Sequence, residues 1–416
     1  MNSDLSVLNV DVEMLEECKV NYGIAFPAIK QKGKSVKVLE DRANLVALMD
    51  HYNIKVRFDV FKRIPKVQGI ASMVGDDENL LLSELKSLCG RHELPLRLVD
   101  NHLGTIAQMN PSNPPLDWLQ SISRTKQTNP VYELVELLPV ENKDWVKVAF
   151  YRWFIQACAA ADTAKQTKNP QALPKFESVL VFIGSQGLGK TSFMRRLLQK
   201  ELHTYFSDGL LLDLGNKDSR LSATANWLVE LGELDATFRK SDIASIKSHL
   251  SKQVDEIRLP YARTETRWPR RTCYMASVND TKFLHDATGN RRYFPVVALG
   301  SLKVPDDFDA VDLWAYAWSE YKNGAQWWLT PAEENMHLQA LTAHESRPIT
   351  ELLLDTFNFD MPNRANFLTG KQVLERIGLR SDNRTHQTQL GIELSKLDIK
   401  KNPSRCYEMP PSRDGI

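Results

Sequence analysis

The feature that most restricts what this chain can fold into is Gly184-Ser-Gln-Gly-Leu-Gly-Lys-Thr191, which follows Ser178-Val-Leu-Val-Phe-Ile183 without a break. The loop satisfies the spacing G-x-x-x-x-G-K-[ST]. The apolar, β-branched and aromatic run before it predicts a buried strand, and Phe193–Leu198 predicts a helix after it. Gly184, Gly187 and Gly189 let the backbone turn so that successive N–H groups converge on phosphate oxygens. The following helix brings the positive end of its dipole to the same point. Lys190 supplies a mobile point charge for the outer phosphates, and the Thr191 hydroxyl is placed for Mg2+. The predicted nucleotide-binding set is Gly184, Ser185, Gln186, Gly187, Leu188, Gly189, Lys190, Thr191 and Ser192, with ATP and Mg2+ as expected ligands. The predicted fold class is therefore an α/β P-loop NTPase core.

A loop of this kind needs an acidic strand for the metal and the attacking water. Trp227-Leu-Val-Glu-Leu-Gly-Glu-Leu-Asp235 supplies one. Alternation puts Val229, Leu231 and Glu233 on one face and Leu228, Glu230 and Gly232 on the other. Glu233, near the strand's end, is the first choice to polarise water, and Glu230 the choice for the metal side. The two roles can be exchanged, and Asp235 is a third candidate. Arg271–Asn279 predicts a further strand, ending in an amide that can orient water beside the terminal phosphate. Ser277 is the weaker alternative there. Beyond a turn at Gly289, Arg291 or Arg292 can neutralise transition-state charge at a neighbouring subunit's nucleotide.

Lys and Arg total 53 against 52 Asp and Glu, so net charge does not announce nucleic acid and local clusters must. Residues 257–292 hold eight basic residues against three acidic ones. Overlapping them, Asp255–Arg271 predicts a hairpin in which Arg258, Arg263 and Arg267 interleave with Tyr261 and Trp268. Guanidinium groups hold phosphates and aromatic faces stack on bases. Lys247, on the helix before the hairpin, adds a charge. A smaller cluster, Lys30, Lys32, Lys34 and Lys37, reads as a solvated arm.

At about 150 residues per domain, 416 residues leave room for two to three. The expected division is an arm over 1–38, a mainly helical N-terminal domain over 39–160, a polar linker over 161–175, the P-loop core over 176–300, a helical extension over 301–356 and a small winged-helix-like C-terminal domain over 357–416. Apolar spacing predicts helices over 43–49, 76–88 and 145–160, and Val56–Phe61 a short strand pair. Trp314, Trp318, Trp327 and Trp328 are expected in the core. In the tail, helices over 370–377 and 385–397 precede a strand near 405–409, and the basic residues around the second helix suit a duplex groove. The five cysteines include no Cys-x-x-Cys pair, which argues against zinc and against a disulfide framework. No apolar run approaches the ~20 residues of a membrane span. No secretory leader is visible.

Taken together these residues resemble the virulence-associated protein E (VapE) family of phages and phage-related islands. The resemblance is carried by Gly184–Thr191, Trp227–Leu234, Pro260-Tyr-Ala-Arg263, Ser277-Val-Asn279, Thr288-Gly-Asn-Arg-Arg-Tyr-Phe-Pro-Val296 and Trp327-Trp-Leu-Thr330. It covers residues 42–345 and is dense over 178–297. The family is similar to superfamily three helicases and poxvirus-type primase-helicases. That likeness implies an AAA+-like core, a homo-oligomeric ring (a hexamer), threaded single-stranded DNA and a bacterial host's cytoplasm. It also implies roles: Lys190 and Thr191 at the nucleotide, Glu233 as the shared acidic-strand Glu, Lys247 ahead of the hairpin, Arg263 within it, Asn279 as sensor, Arg291 or Arg292 as finger. The spacing Glu230-x-x-Glu233 departs from the adjacent acidic pair common in such helicases. No zinc-type Cys cluster or acidic primase motif precedes the core. The implied activity is ATP-dependent DNA translocation or unwinding in replication of a phage or mobile element, with origin duplex DNA as a second candidate partner. The alternative is a nucleotide-switched regulatory or defence ATPase that unwinds nothing.

Overall fold

The computed structural model describes residues 19, 23–32, 35–70, 78–163, 173–232, 243–257, 266–279, 290–342, 349–361, 366–382 and 384–413. The chain divides into two units, residues 1–280 with 291–338, and residues 281–290 with 339–416.

The first unit opens with an antiparallel ribbon, β1 (Ile29–Lys32) and β2 (Ser35–Val38). A buried amide holds its feet. Asn44, on α1 (Arg42–His51), accepts from the Ala28 N–H at 2.8 Å and donates to the Ala28 and Leu39 carbonyls at 2.7 and 2.8 Å. Next, β3 (Lys55–Asp59) turns through residues 60–63 into β4 (Ile64–Gln68). After α2 (Glu78–Arg91) and α3 (Arg97–Met109), the short β5 (Pro111–Ser112) lies parallel to β3. The N-terminal region thus contains a three-stranded sheet, order β4-β3-β5, among its helices. Val56 and Phe58 alternate inward to make its buried face.

Two short helices follow, α4 (Pro114–Ser121) and α5 (Pro130–Leu137). Each starts with an Asn whose side chain accepts a backbone N–H and a Pro in the first turn, which needs no N–H of its own. In α6 (Lys143–Ala161), 14 of 19 residues are buried, so it is an internal helix rather than a surface one. Its Trp145 and Trp153 donate to the carbonyls of Pro295 and Tyr274 at 2.9 and 2.8 Å, and Gln156 bonds both the N–H and C=O of Ser178. These bonds tie α6 to the sheet that follows, so residues on both sides of 161–175 belong to one unit.

That sheet comes from β6 (Val179–Ile183), α7 (Lys190–Arg196), β7 (Phe206–Leu210), α8 (Lys217–Ser222), β8 (Leu228–Leu231), α9 (Ile243–Leu250), a hairpin of β9 (Val254–Ile257) and β10 (Thr266–Pro269), β11 (Cys273–Val278) and β12 (Tyr293–Val297). The five long strands are all parallel, in the order β12-β6-β11-β8-β7. Every residue of β6 is buried, as a parallel strand covered on both faces requires. The helices α10 (Ala310–Lys322) and α11 (Pro331–Thr342) follow.

The expectation that four tryptophans share the core needs correcting. Trp314 is fully buried and donates to the Leu197 carbonyl at 2.8 Å, but Trp328 is 56% exposed. Trp327 and Trp328 sit in the connection between α10 and α11, where only Trp327 finds a backbone partner, the Lys175 carbonyl.

The second unit holds α12 (Ile349–Thr356), β13 (Asn366–Leu368), α13 (Gly370–Arg376), α14 (Arg384–Lys396) and β14 (Tyr407–Met409). A capping box of Thr369 and Gln372 opens α13, and β13 pairs antiparallel with β14. Leu353, Phe357, Leu374, Leu394 and Met409 form its core. No described helix is long and apolar enough to cross a membrane.

Candidate nucleotide site

The loop Gly184–Thr191 leaves the carboxyl end of β6, next to the ends of β11 and β8. In open parallel sheets the crevice outside the strand ends, where the chain order reverses, is where ligands bind. Here β12 lies on one side of β6 and β11 on the other. Gly187 and Gly189 have φ of 87° and 78°, the left-handed region that side chains resist. At Gly184 a Cβ would stand 2.9 Å from the Leu188 side chain and 3.2 Å from the Ala298 carbonyl. The loop is braced from outside by the Leu302 N–H, which donates to the Leu188 carbonyl at 2.8 Å.

Lys190 is buried, and its ammonium donates to the carbonyls of Gly184, Ser185 (3.1 Å) and Val278 (3.4 Å) and to Asn279 Oδ1 (3.1 Å). Burial pulls its pKa below the usual lysine value, against the opposing pull of Glu230. Thr191 Oγ1 donates to Glu230 Oε1 at 2.9 Å. Glu230 is 1% exposed, and its other oxygen accepts the Gly209 N–H at 3.3 Å. The loop lysine, the loop threonine, the acidic strand's Glu230 and the amide of Asn279 therefore meet at one point. Ser185, Gln186, Gly187 and Ser192 line the open side of the loop. A threonine hydroxyl and a buried carboxylate within hydrogen-bond reach are hard oxygen donors of the kind Mg2+ takes, so the residues present fit that ion. Glu233 and Asp235 lie outside the described residues.

Gly209 was not singled out from sequence. A register shift in β7 between Ser207 and Leu210 turns its N–H toward Glu230. Gly232 makes room for it, since a Cβ there would lie 2.9 Å from the Gly209 Cα. The signal available was a glycine inside a strand-like run, which marks a bulge or a close backbone approach.

Arg291 and Arg292 stand at the opposite end of the sheet. They precede β12, whose Tyr293 pairs with Val179 at the start of β6, whereas the loop leaves β6 after Ile183. Five strand residues separate the two ends by roughly 17 Å. Arg292 is anchored: its Nε donates to Ser251 Oγ at 2.7 Å and lies 3.3 Å from Glu177. Arg291 is 76% exposed and only grazes Glu177 at 3.9 Å.

The stem of the basic hairpin is present, with Arg267 opposite Glu256 and Trp268 opposite Asp255. Arg258, Tyr261 and Arg263 lie outside the described residues. Arg267 is exposed and pairs with Glu256 at 3.0 Å. Four other expectations are corrected. Trp268 is 4% exposed and stacks on Phe58 with ring centres 5.2 Å apart, so its face is not offered to a base. Arg270 is buried and grips Asp255 through Nε (2.9 Å) and an Nη (2.6 Å), while Arg63 takes the other Asp255 oxygen at 2.9 Å. Burial pushes the Asp255 carboxyl up, but the two guanidinium groups outweigh it and hold the pKa below the usual carboxylate range. Arg271 is buried too and donates to the Thr163 carbonyl at 2.9 Å. Both arginines thus spend their charge inside the protein. Lys247 is 9% exposed, which does not fit the surface contact expected of it.

A parallel five-stranded α/β sheet with a glycine loop, a buried acid and an amide at its carboxyl edge defines the class of protein. Residues 119–346, more than half of the chain, match the virulence-associated protein E-like domain, and the protein belongs to that family. Among solved structures it is similar to the apo structure of the NrS-1 C-terminal region, at 13% identity and a TM-score of 0.45 over 89% of this chain and 99% of that one. An A-form apo structure of that region is similar at 13% identity and a TM-score of 0.42, over 90% and 100%. No curated protein matches the chain.

Proposed function

We propose that this protein is an ATP- and Mg2+-dependent DNA translocase or helicase of the superfamily three type, working in replication of a phage or phage-related element. In this reading residues 176–300 are an AAA+-like P-loop NTPase core and residues 357–416 a winged-helix-like domain. The observation that carries it is the convergence of Lys190, Thr191, Glu230 and Asn279 at the carboxyl edge of the sheet.

Backbone N–H groups of residues 185–191 bind the phosphates. Lys190 exchanges carbonyl partners for phosphate oxygens, a trade favoured because those carbonyls carry no full charge. Thr191 and Glu230 would hold Mg2+, which neutralises charge on the outer phosphates. Asn279, already on Lys190, orients water beside the terminal phosphate. Glu233 is the base that polarises that water. Arg291 stands too far from its own protomer's loop and serves the next protomer's nucleotide, as an assembly such as a ring would allow. Hairpin residues Arg258, Tyr261, Arg263 and Arg267 grip single-stranded DNA, and the smaller unit engages origin duplex DNA.

The test is ATP hydrolysis with and without a single-stranded oligonucleotide, beside displacement of a labelled strand from a forked duplex. DNA-stimulated hydrolysis with displacement is expected. Hydrolysis indifferent to DNA, with no strand released, favours the nucleotide-switched regulator instead.

A further inference from the structure

The β1–β2 ribbon takes no part in the nucleotide site, yet its charge is arranged. Lys30 lies directly opposite Lys37 across the strand pair, and both are exposed. No acidic group among the described residues pairs with either. The nearest acids in sequence are engaged elsewhere: Glu40 with Arg97 and Asn101, and Asp41 with the Ala43 N–H at the start of α1. The sequence adds Lys32 and Lys34 between them and no acid anywhere in residues 28–38.

Like charges facing each other oppose strand pairing, and a two-stranded ribbon is marginal on its own. This ribbon is nevertheless pinned. Val36 and Val38 are buried on its other face, and the Asn44 amide locks the residues at both feet. The pinned ribbon thus holds Lys30 and Lys37 side by side at the surface.

We propose that the β1–β2 ribbon is a contact for the phosphodiester backbone of a nucleic acid, separate from the β9–β10 hairpin. Lys30 and Lys37 are point charges that carry no base information, as backbone contacts do. Protein interfaces are depleted in lysine and enriched in aromatics and arginine, which argues against an acidic protein partner. The inference rests on nucleic acid being the polymer this protein handles.

The experiment is fluorescence anisotropy of a labelled oligothymidylate, and of a duplex of equal length, across a salt series. The proteins are wild type, Lys30→Glu/Lys37→Glu, Lys37→Glu and Arg267→Ala. The double variant is expected to bind about tenfold more weakly at low salt, with the log–log salt slope reduced by about one to two. Lys37→Glu, which removes the facing charges, should melt no lower than wild type, so its weaker binding reports contact rather than unfolding. Affinity and slope equal to wild type in the double variant overturn the proposal. If Arg267→Ala is impaired in that same series, the hairpin reading stands and only the ribbon falls. The converse result keeps the ribbon and removes the hairpin. Unchanged DNA binding with loss of polyglutamate binding assigns the ribbon to an acidic protein and overturns the proposal.

Discussion

At the scale of single residues, the site's chemistry concentrates in Glu230. It is buried, accepts one hydroxyl and one backbone N–H, and sits beside a lysine whose ammonium is itself withdrawn from water. Replacing Glu230 by Gln keeps the shape and removes the charge. Turnover should fall at least about a hundredfold, with a raised Mg2+ requirement and an unchanged melting temperature; a Mg2+ titration of ATP hydrolysis checks it. Lys190→Ala should abolish turnover, and wild-type rates in that variant would remove the site assignment. His249 supplies a different reading. Burial, aided by Arg270, pushes its pKa down to about 3, and it shares a hydrogen bond of 3.1 Å with the Tyr274 hydroxyl. The unfolded chain takes up that proton near pH 6.5 while the folded chain does not. Stability is therefore complete above about pH 6.5 and lost as pH falls, by about 1 kcal/mol per unit. Urea midpoints from pH 7 to 5 should fall, and His249→Gln should flatten the decline, leaving the share of His337, whose pKa burial also lowers.

At the scale of elements, the hairpin divides into a stem that belongs to the core and a part that faces outward. The Phe58–Trp268 stack binds the stem to β3, and the Arg63–Asp255–Arg270 triad binds it to the turn that follows β3. Arg270→Leu leaves Asp255 buried with one partner, so it should cost about 3–5 kcal/mol, seen as a fall in melting temperature. The exposed Arg267–Glu256 pair is worth about 0–1 kcal/mol, so Arg267→Ala should spare stability. Sequence alone did not separate these arginines. Counting charges along 257–292 makes Arg263 and Arg270 equivalent, because the partner that internalises Arg270 pairs in turn with Arg63, 192 residues before it. Elements governed by local rules were legible: the strand, loop and helix around Lys190, the strand ending at Asn279, and the long helix over 143–161. Strand β3 was legible within the Val56–Phe61 strand pair, but its partner β5 and the pinning of the β1–β2 ribbon by Asn44, through Ala28 and Leu39, were not, since both depend on contacts that a periodic pattern does not encode.

For the whole molecule, the larger unit joins the N-terminal helices to the sheet through α6, so residues 119–346 of the family domain do not start at a physical boundary. If Arg291 completes the next protomer's site, two dead proteins can make a live interface. Lys190→Ala subunits still offer Arg291, and Arg291→Ala subunits still offer an intact loop. Mixing the two should restore part of the turnover that neither has alone, measured as ATPase rate against mixing ratio; no recovery at any ratio would place the arginine's work within its own protomer.

If the glycine loop binds phosphate and Arg291 serves a neighbouring protomer, strand β6, with the loop at one tip and Arg291 beside the other, gives each chain two unlike half-sites aimed in opposite directions. Dilution should then silence the protein more steeply than it thins it, because every lost neighbour removes a working centre from the chain left behind.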